Sequence, residues 1–163
     1  MSAYALVGLS FLLFFAQSSF IPFFFDGLVQ PDIWLVVIVL STLIFDNQTA
    51  LALAIIGGLL QDIVIGNLFG LHLLPYLVIA SLYLILGKER YNKHWYISLI
   101  AILLASTLYL LFSAAVMLCA RGQYLAMSYI YYIGIPFTLL NAVGTLFFHN
   151  PLWAMKRERK TRW

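Results

Sequence analysis

The sequence predicts an all-α integral membrane protein, a compact antiparallel bundle of six transmembrane helices, and three observations carry that reading. Of the 163 residues, 64% are hydrophobic and only 9% are charged, against roughly a quarter charged in an ordinary soluble domain. The mean hydropathy is +0.98. The charges are gathered into short stretches, and the apolar runs between them are mostly long enough to cross a hydrocarbon layer of about 30 Å as helices. The organisation expected is a six-span membrane domain over residues 1–150 and a basic cytoplasmic tail over 151–163.

The first helix is expected over about residues 4–25, with Pro22 near its end, before the helix-breaking turn "DGLVQPD". The second is expected over about 32–48. Its apolar part ends near Phe45 and measures roughly 20 Å at 1.5 Å per residue, which suits a helix sheltered by its neighbours. The third covers about 49–65, and "GNLFG" turns the chain into a fourth over about 68–86. The fifth is placed at about 95–119 and the sixth at about 124–148, with a kink expected at Pro136. "LLFFAQSS" offers small residues around a signal-peptide cut, but no basic stretch precedes it and the apolar run continues to Phe25, so a retained span is expected.

Six spans put both termini on one side. Five of the nine Lys/Arg lie in the tail "KRERKTRW" and three in "GKERYNKH", leaving Arg121 alone on the other face. By the positive-inside bias the N and C termini are cytoplasmic. Trp95, Tyr96 and Trp153 then fall at cytoplasmic ends, and Tyr124, Tyr129, Tyr131 and Tyr132 near the outer end of the sixth span. Such charge placement records orientation, so no nucleic-acid partner is inferred. Lys156, Arg157, Arg159, Lys160 and Arg162 are read as anchors on anionic headgroups, each contributing about 1 kcal/mol near the surface.

Within this hydrocarbon chain, "GGLLQDIVIGNLFG" over residues 57–70 carries a carboxylate, two amides and four glycines. Ala54, Gly58 and Asp62 share one face of the third span, with Gln61 adjacent. Small residues at this spacing let helix backbones approach closely. Ala54, Gly58, Ser98, Ala101 and Ala105 are therefore candidate packing or partner faces. An ionised Asp62 in lipid costs at least a few kcal/mol without donors. It also lies in the last turn of its own helix, where an anion is disfavoured. The donors in reach are backbone N–H groups of the turn from Gly66 to Gly70, then His72 and Arg121, and the turn ranks first because glycines permit a tight bend. Asp32, in "QPDIW" after Pro31, reads as a helix N-cap. Asn141 and Thr145, one turn apart, are expected to bond across helices.

Enzyme chemistry finds no template. There is no H-E-x-x-H, Walker-type GxxxxGK or G-x-S-x-G motif. The single Cys119 excludes an internal disulfide, and no His/Cys cluster has metal-ligand spacing, so no metal or cofactor is expected. A two-carboxylate protease needs a second deep acid, and Asp62 is read as standing alone.

Pro31-Asp32 opening a short apolar helix, then Gly58, Leu59, Asp62, Gly66, Gly70 and Leu71 in "GLLQDIVIGNLFGLH", Asn141 in the last span and the basic tail together resemble the rod shape-determining MreD family over nearly the whole chain. The loop "FDNQ" departs from the family in lacking a basic residue, and Ala54 stands where a glycine is frequent. The resemblance implies a fold similar to the S components of ECF-type vitamin transporters and a non-enzymatic subunit of the wall-elongation machinery in the bacterial cytoplasmic membrane. Its implied partners are MreC, the RodA glycosyltransferase with its class B penicillin-binding transpeptidase, and MreB filaments. The rival reading is an S component proper, holding a vitamin near Asp62, His72, Tyr76 and the tyrosines of span six.

Overall fold

The computed structural model describes residues 3–25, 29–65, 69–86, 94–121 and 130–160, and within these the chain is helical. The helices are α1 (Ala3–Phe15), α2 (Ile21–Phe24), α3 (Ile33–Ile44), α4 (Asn47–Ile65), α5 (Leu73–Leu86), α6 (Trp95–Arg121) and α7 (Ile135–Lys160). A π turn over Ala16–Phe20 joins α1 to α2 in one rod, and a second, Ile130–Gly134, leads into α7. Four stretches are long and apolar enough to cross a membrane: Leu6–Phe24, Asn47–Val64, Trp95–Val116 and Tyr131–Lys156. Helices α3 and α5 are apolar but shorter.

Both π turns have the same physical cause. A proline ring clashes with the carbonyl four residues back and cannot donate to it. Pro22 and Pro136 set that clash at Ser18 and Tyr132, and each of these lies inside a π turn. Widening the helix locally absorbs the ring without ending the rod. The disturbance expected at Pro136 thus lies just before it. Pro151 sits within α7, which runs on to Lys160, past the helix end expected at 148.

Helix α3 is the central post. It packs against α4, α5, α6 and α7, and Ile33 through Thr42 and Ile44 are all buried. A helix that is apolar all round has to be enclosed. In lipid the gain comes from close van der Waals packing rather than from escape from water. Glycines set that closeness on α4. A Cβ on Gly57 would lie 2.4 Å from Cε3 of the Trp34 indole, and one on Gly58 would lie 2.5 Å from the Leu73 Cα. Gly57 therefore seats α3 on α4, and Gly58 lets the start of α5 cross it. Ala54, Gly58, Ser98, Ala101 and Ala105 are all buried inside the bundle, which uses these small residues for internal packing.

Two boundaries differ from the sequence reading for reasons of capping. The second helix stops at Ile44 rather than 48, because the Asp46 carboxylate accepts from the Thr49 N–H (3.1 Å) and hydroxyl (2.9 Å) and so caps α4, which begins at Asn47. Helix α5 begins at Leu73 rather than 68, since Phe69–His72 forms a turn whose N–H groups serve Asp62. The expected starts of the sixth span at 124, the loop lysines and arginines from Lys88 to Lys93, Gly66, Tyr124, Tyr129 and Arg162 lie outside the described residues.

Candidate functional site

Helix α3 has 12 residues, which at roughly 1.5 Å each reach only about 18 Å. Its N-terminus consequently ends inside the bundle, against Ser106 near the middle of the 27-residue α6 through the Asn141 amide. Irregular backbone at such depth is tolerated only where protein encloses it and satisfies its polar groups. Three side chains from different elements do this for Pro31-Asp32-Ile33, and a fourth holds one of the three.

The Asp32 carboxylate caps its own helix, Oδ1 accepting from the Leu35 N–H at 3.0 Å. Its Oδ2 accepts from the Tyr76 hydroxyl of α5 at 2.5 Å. The Asp32 N–H donates to Asn141 Oδ1 of α7 at 2.7 Å, and the Asn141 amide donates to the Ser106 hydroxyl of α6 at 3.1 Å. From the first π turn, Gln17 donates to the Pro31 carbonyl at 3.1 Å and accepts from the Ile33 N–H at 2.9 Å. Thus the corner binds the α1–α2 rod, α3, α5, α6 and α7 together. Thr145, by contrast, donates to the Asn141 carbonyl of its own helix.

Asp62 forms the second centre. Its Oδ2 accepts from the N–H groups of Gly70 at 2.7 Å and Leu73 at 3.3 Å, and its Oδ1 from the His72 N–H at 2.8 Å. The imidazole Nδ1 of His72 lies 3.0 Å from the same Oδ1. Gly70 has φ +97°, a backbone shape that other residues rarely adopt, which explains a glycine there. The unfavourable end of α4 is offset by the favourable end of α5, whose first N–H groups point at the carboxylate. Asp62 is therefore a cap supplied by one helix to the next. Of the donors considered from sequence, the turn contributes at Gly70, and His72 contributes twice. The Arg121 side chain lies outside the described side chains.

Asp62 does not stand alone, which corrects the sequence reading. Asp32 is 5% exposed and Asp62 4%, and the rings of His72 and Tyr76, which contact the two acids, lie 6.3 Å apart. The stack continues through Tyr109, 5.8 Å from Tyr76, to Phe137, 5.6 Å beyond. These rings run between α5, α6 and α7 beside His72 and Tyr76, where a vitamin was considered. Sequence reasoning missed the Tyr76–Asp32 bond, the Gln17 clasp and Gly57. A polar Gln17 in an apolar span was the one available signal. A further buried polar pair, Ser98 with His149 Nδ1 at 3.0 Å, ties α6 to α7. Lys156 lies 4.8 Å from the Trp153 ring. The side chains of Arg157, Arg159 and Lys160 lie outside those described.

Among the described residues no three His, Cys, Asp or Glu side chains gather as a metal site would require. What the geometry does is distribute every carboxylate oxygen of Asp32 and Asp62 among donors of the same chain. Each acid starts one of the two short helices. Comparison with curated proteins and with solved structures returns no match. A family model described as rod shape-determining protein MreD matches residues 2–157, and Pro31-Asp32, the Asp62 turn and Asn141 all fall within that span. The chain belongs to the rod shape-determining MreD family.

Proposed function

We propose that this chain is a non-enzymatic membrane scaffold of the bacterial cell-wall elongation complex, with six spans, both termini cytoplasmic, and the cytoplasmic membrane as its location. In this role it binds MreC and, with it, RodA, the class B penicillin-binding transpeptidase and, indirectly, MreB filaments. The observation that carries the reading is that each oxygen of both buried acids accepts a hydrogen bond from the same chain, with four donors gathered on Asp62. A carboxylate so engaged stiffens the fold, whereas a general acid or transport site keeps a lone pair or proton open to its substrate. The ring stack from His72 to Phe137 supports the scaffold over a vitamin-binding S component, which needs convergent polar groups around an accessible cavity.

With the small-residue faces consumed internally, a partner helix engages the outward apolar faces. Phe11, Phe15, Leu104 and Leu111 are among the side chains exposed there. The test is affinity purification of the tagged full chain from membranes in mild detergent. Recovery of a single-span protein with a periplasmic coiled coil supports the scaffold. Recovery of transporter ATPases together with a bound vitamin overturns it in favour of the S component.

A further inference from the structure

A lateral groove of about 520 Å³ runs between α5 and α6. Leu82 and Leu86 rim it on α5, Ile100 and Leu104 on α6, all four exposed, while the small Ala101 lies buried at its floor. One contact sets the gap. The Tyr83 phenol reaches across from α5 and donates to the Ala101 carbonyl at 2.7 Å, so the walls stand a tyrosine side chain apart where α6 offers only an alanine. A groove left empty forfeits dispersion contacts on both walls.

Chemistry, length and level identify what fills it. The described lining has no charged side chain, and both of its hydroxyls are spent, Tyr83 on Ala101 and Thr107 on the Leu104 carbonyl at 2.8 Å. A polar metabolite needs convergent polar groups, and this groove offers hydrocarbon alone. From Ile97 to Leu108 it follows α6 for roughly 16 Å at about 1.5 Å per residue, about half of a hydrocarbon layer of about 30 Å. A partner helix crossing the membrane would need about twice that length. Trp95 and Tyr96, exposed in the first turn of α6, mark the level of the membrane interface. The groove therefore begins just below the headgroups and ends near the midplane, as an acyl chain of one leaflet does. By sequence alone, the segment joining the two walls carries Lys88, Arg90 and Lys93 against one acid, Glu89, a balance that concentrates anionic headgroups at this end of the bundle.

We propose that the groove between α5 and α6 seats one acyl chain of an anionic phospholipid, its methylenes packed between Leu82 and Leu104 over Ala101 and its glycerol end at the level of Trp95 and Tyr96. The site stands whichever side of the membrane this end faces and whichever proteins the chain recruits.

The test reconstitutes the full chain in vesicles of equal parts phosphatidylcholine and phosphatidylglycerol with matched acyl chains. The protein is then extracted again in mild detergent and weighed intact by native mass spectrometry. Once loosely held lipid is stripped, one phosphatidylglycerol per chain is expected to remain, on the order of tenfold more often than phosphatidylcholine. Ala101→Leu fills the floor of the groove and should abolish that retention. Leu104→Trp, at an exposed rim position, serves if Ala101→Leu fails to elute as a single helical species. Leu111→Trp, as exposed and on the same helix but outside the groove lining, should leave retention unchanged. No phospholipid on the starting chain, equal retention of the two headgroups, or retention that survives a folded groove variant overturns the proposal. A lipid-free dimer that the groove variants split overturns it in favour of a second copy.

Discussion

Replacing Asp62 by alanine strands three backbone donors, on Gly70, His72 and Leu73, and the His72 imidazole as well. Each buried donor left unpaired costs about 1–3 kcal/mol, and partial relaxation of the turn places the total near the lower end, at about 3–5 kcal/mol. For a chain of this size about 1 kcal/mol moves the midpoint by about 2–4 °C, so Asp62→Ala should lower Tm by about 6–20 °C. Asp62→Asn keeps one acceptor oxygen but turns an NH2 toward a donor, and should cost about half as much. The measurement is thermal unfolding of the purified full chain in mild detergent, followed by the amount eluting as a single species. The outcome that defeats the argument is specific: both variants keep the parental midpoint and partner recovery. A role for Asp62 in proton movement would instead leave Tm intact in Asp62→Asn while abolishing activity.

Other outcomes follow from the same geometry. Gly58→Ala should destabilise the chain by about 1–3 kcal/mol by pushing on the Leu73 backbone, whereas Gly144→Ala, whose Cβ meets Val36 at an ordinary 3.6 Å, should be neutral or gain up to about 1 kcal/mol; an unchanged or raised midpoint for Gly58→Ala, or a fall as large for Gly144→Ala, would contradict this. Tyr76→Phe removes the hydroxyl donor to Asp32 Oδ2 and should cost about 1.5–3 kcal/mol, read as a lower Tm in the same detergent assay. Asp46→Ala removes the cap of α4 at about 0.5–2 kcal/mol. Burial of Asp46 works against its charge, but the Thr49 hydroxyl and N–H outweigh it and hold the carboxyl down at about 2 from 3.8. Because the folded value is the lower one, this stabilisation is present above pH about 4 and is lost as pH falls toward 2. The group is exposed, so salt should weaken the effect. An acid titration of Tm in which Asp46→Asn keeps the full parental slope between those values would refute it.

Hydropathy and charge placement made the helical membrane class legible, because lipid forces each spanning segment to satisfy its own backbone and leaves the period and length of apolar runs visible. Capping chemistry was also local enough to read at Asp32. Contacts distant in sequence were not. Asp62 looked misplaced at the end of α4, since only the folded chain brings the start of α5 over it. Tyr76, Gln17 and Gly57 gave no periodic signal, for their partners lie on other helices. The small-residue faces could be recognised as close-packing surfaces, but which neighbour they served was undetermined.

By itself, then, the sequence determined which segments are helical and which polar groups had to be answered, since helix propensity, caps and the intolerance of lipid for bare charge act within a few residues. Tertiary structure decided who answers them: that α3 ends deep in the bundle, that one acid caps a helix not its own, and that the Trp34 indole and Gln61 amide nitrogens are buried without a partner. Those choices depend on the approach of helices far apart along the chain, set by where a glycine admits a neighbour and a π turn absorbs a proline.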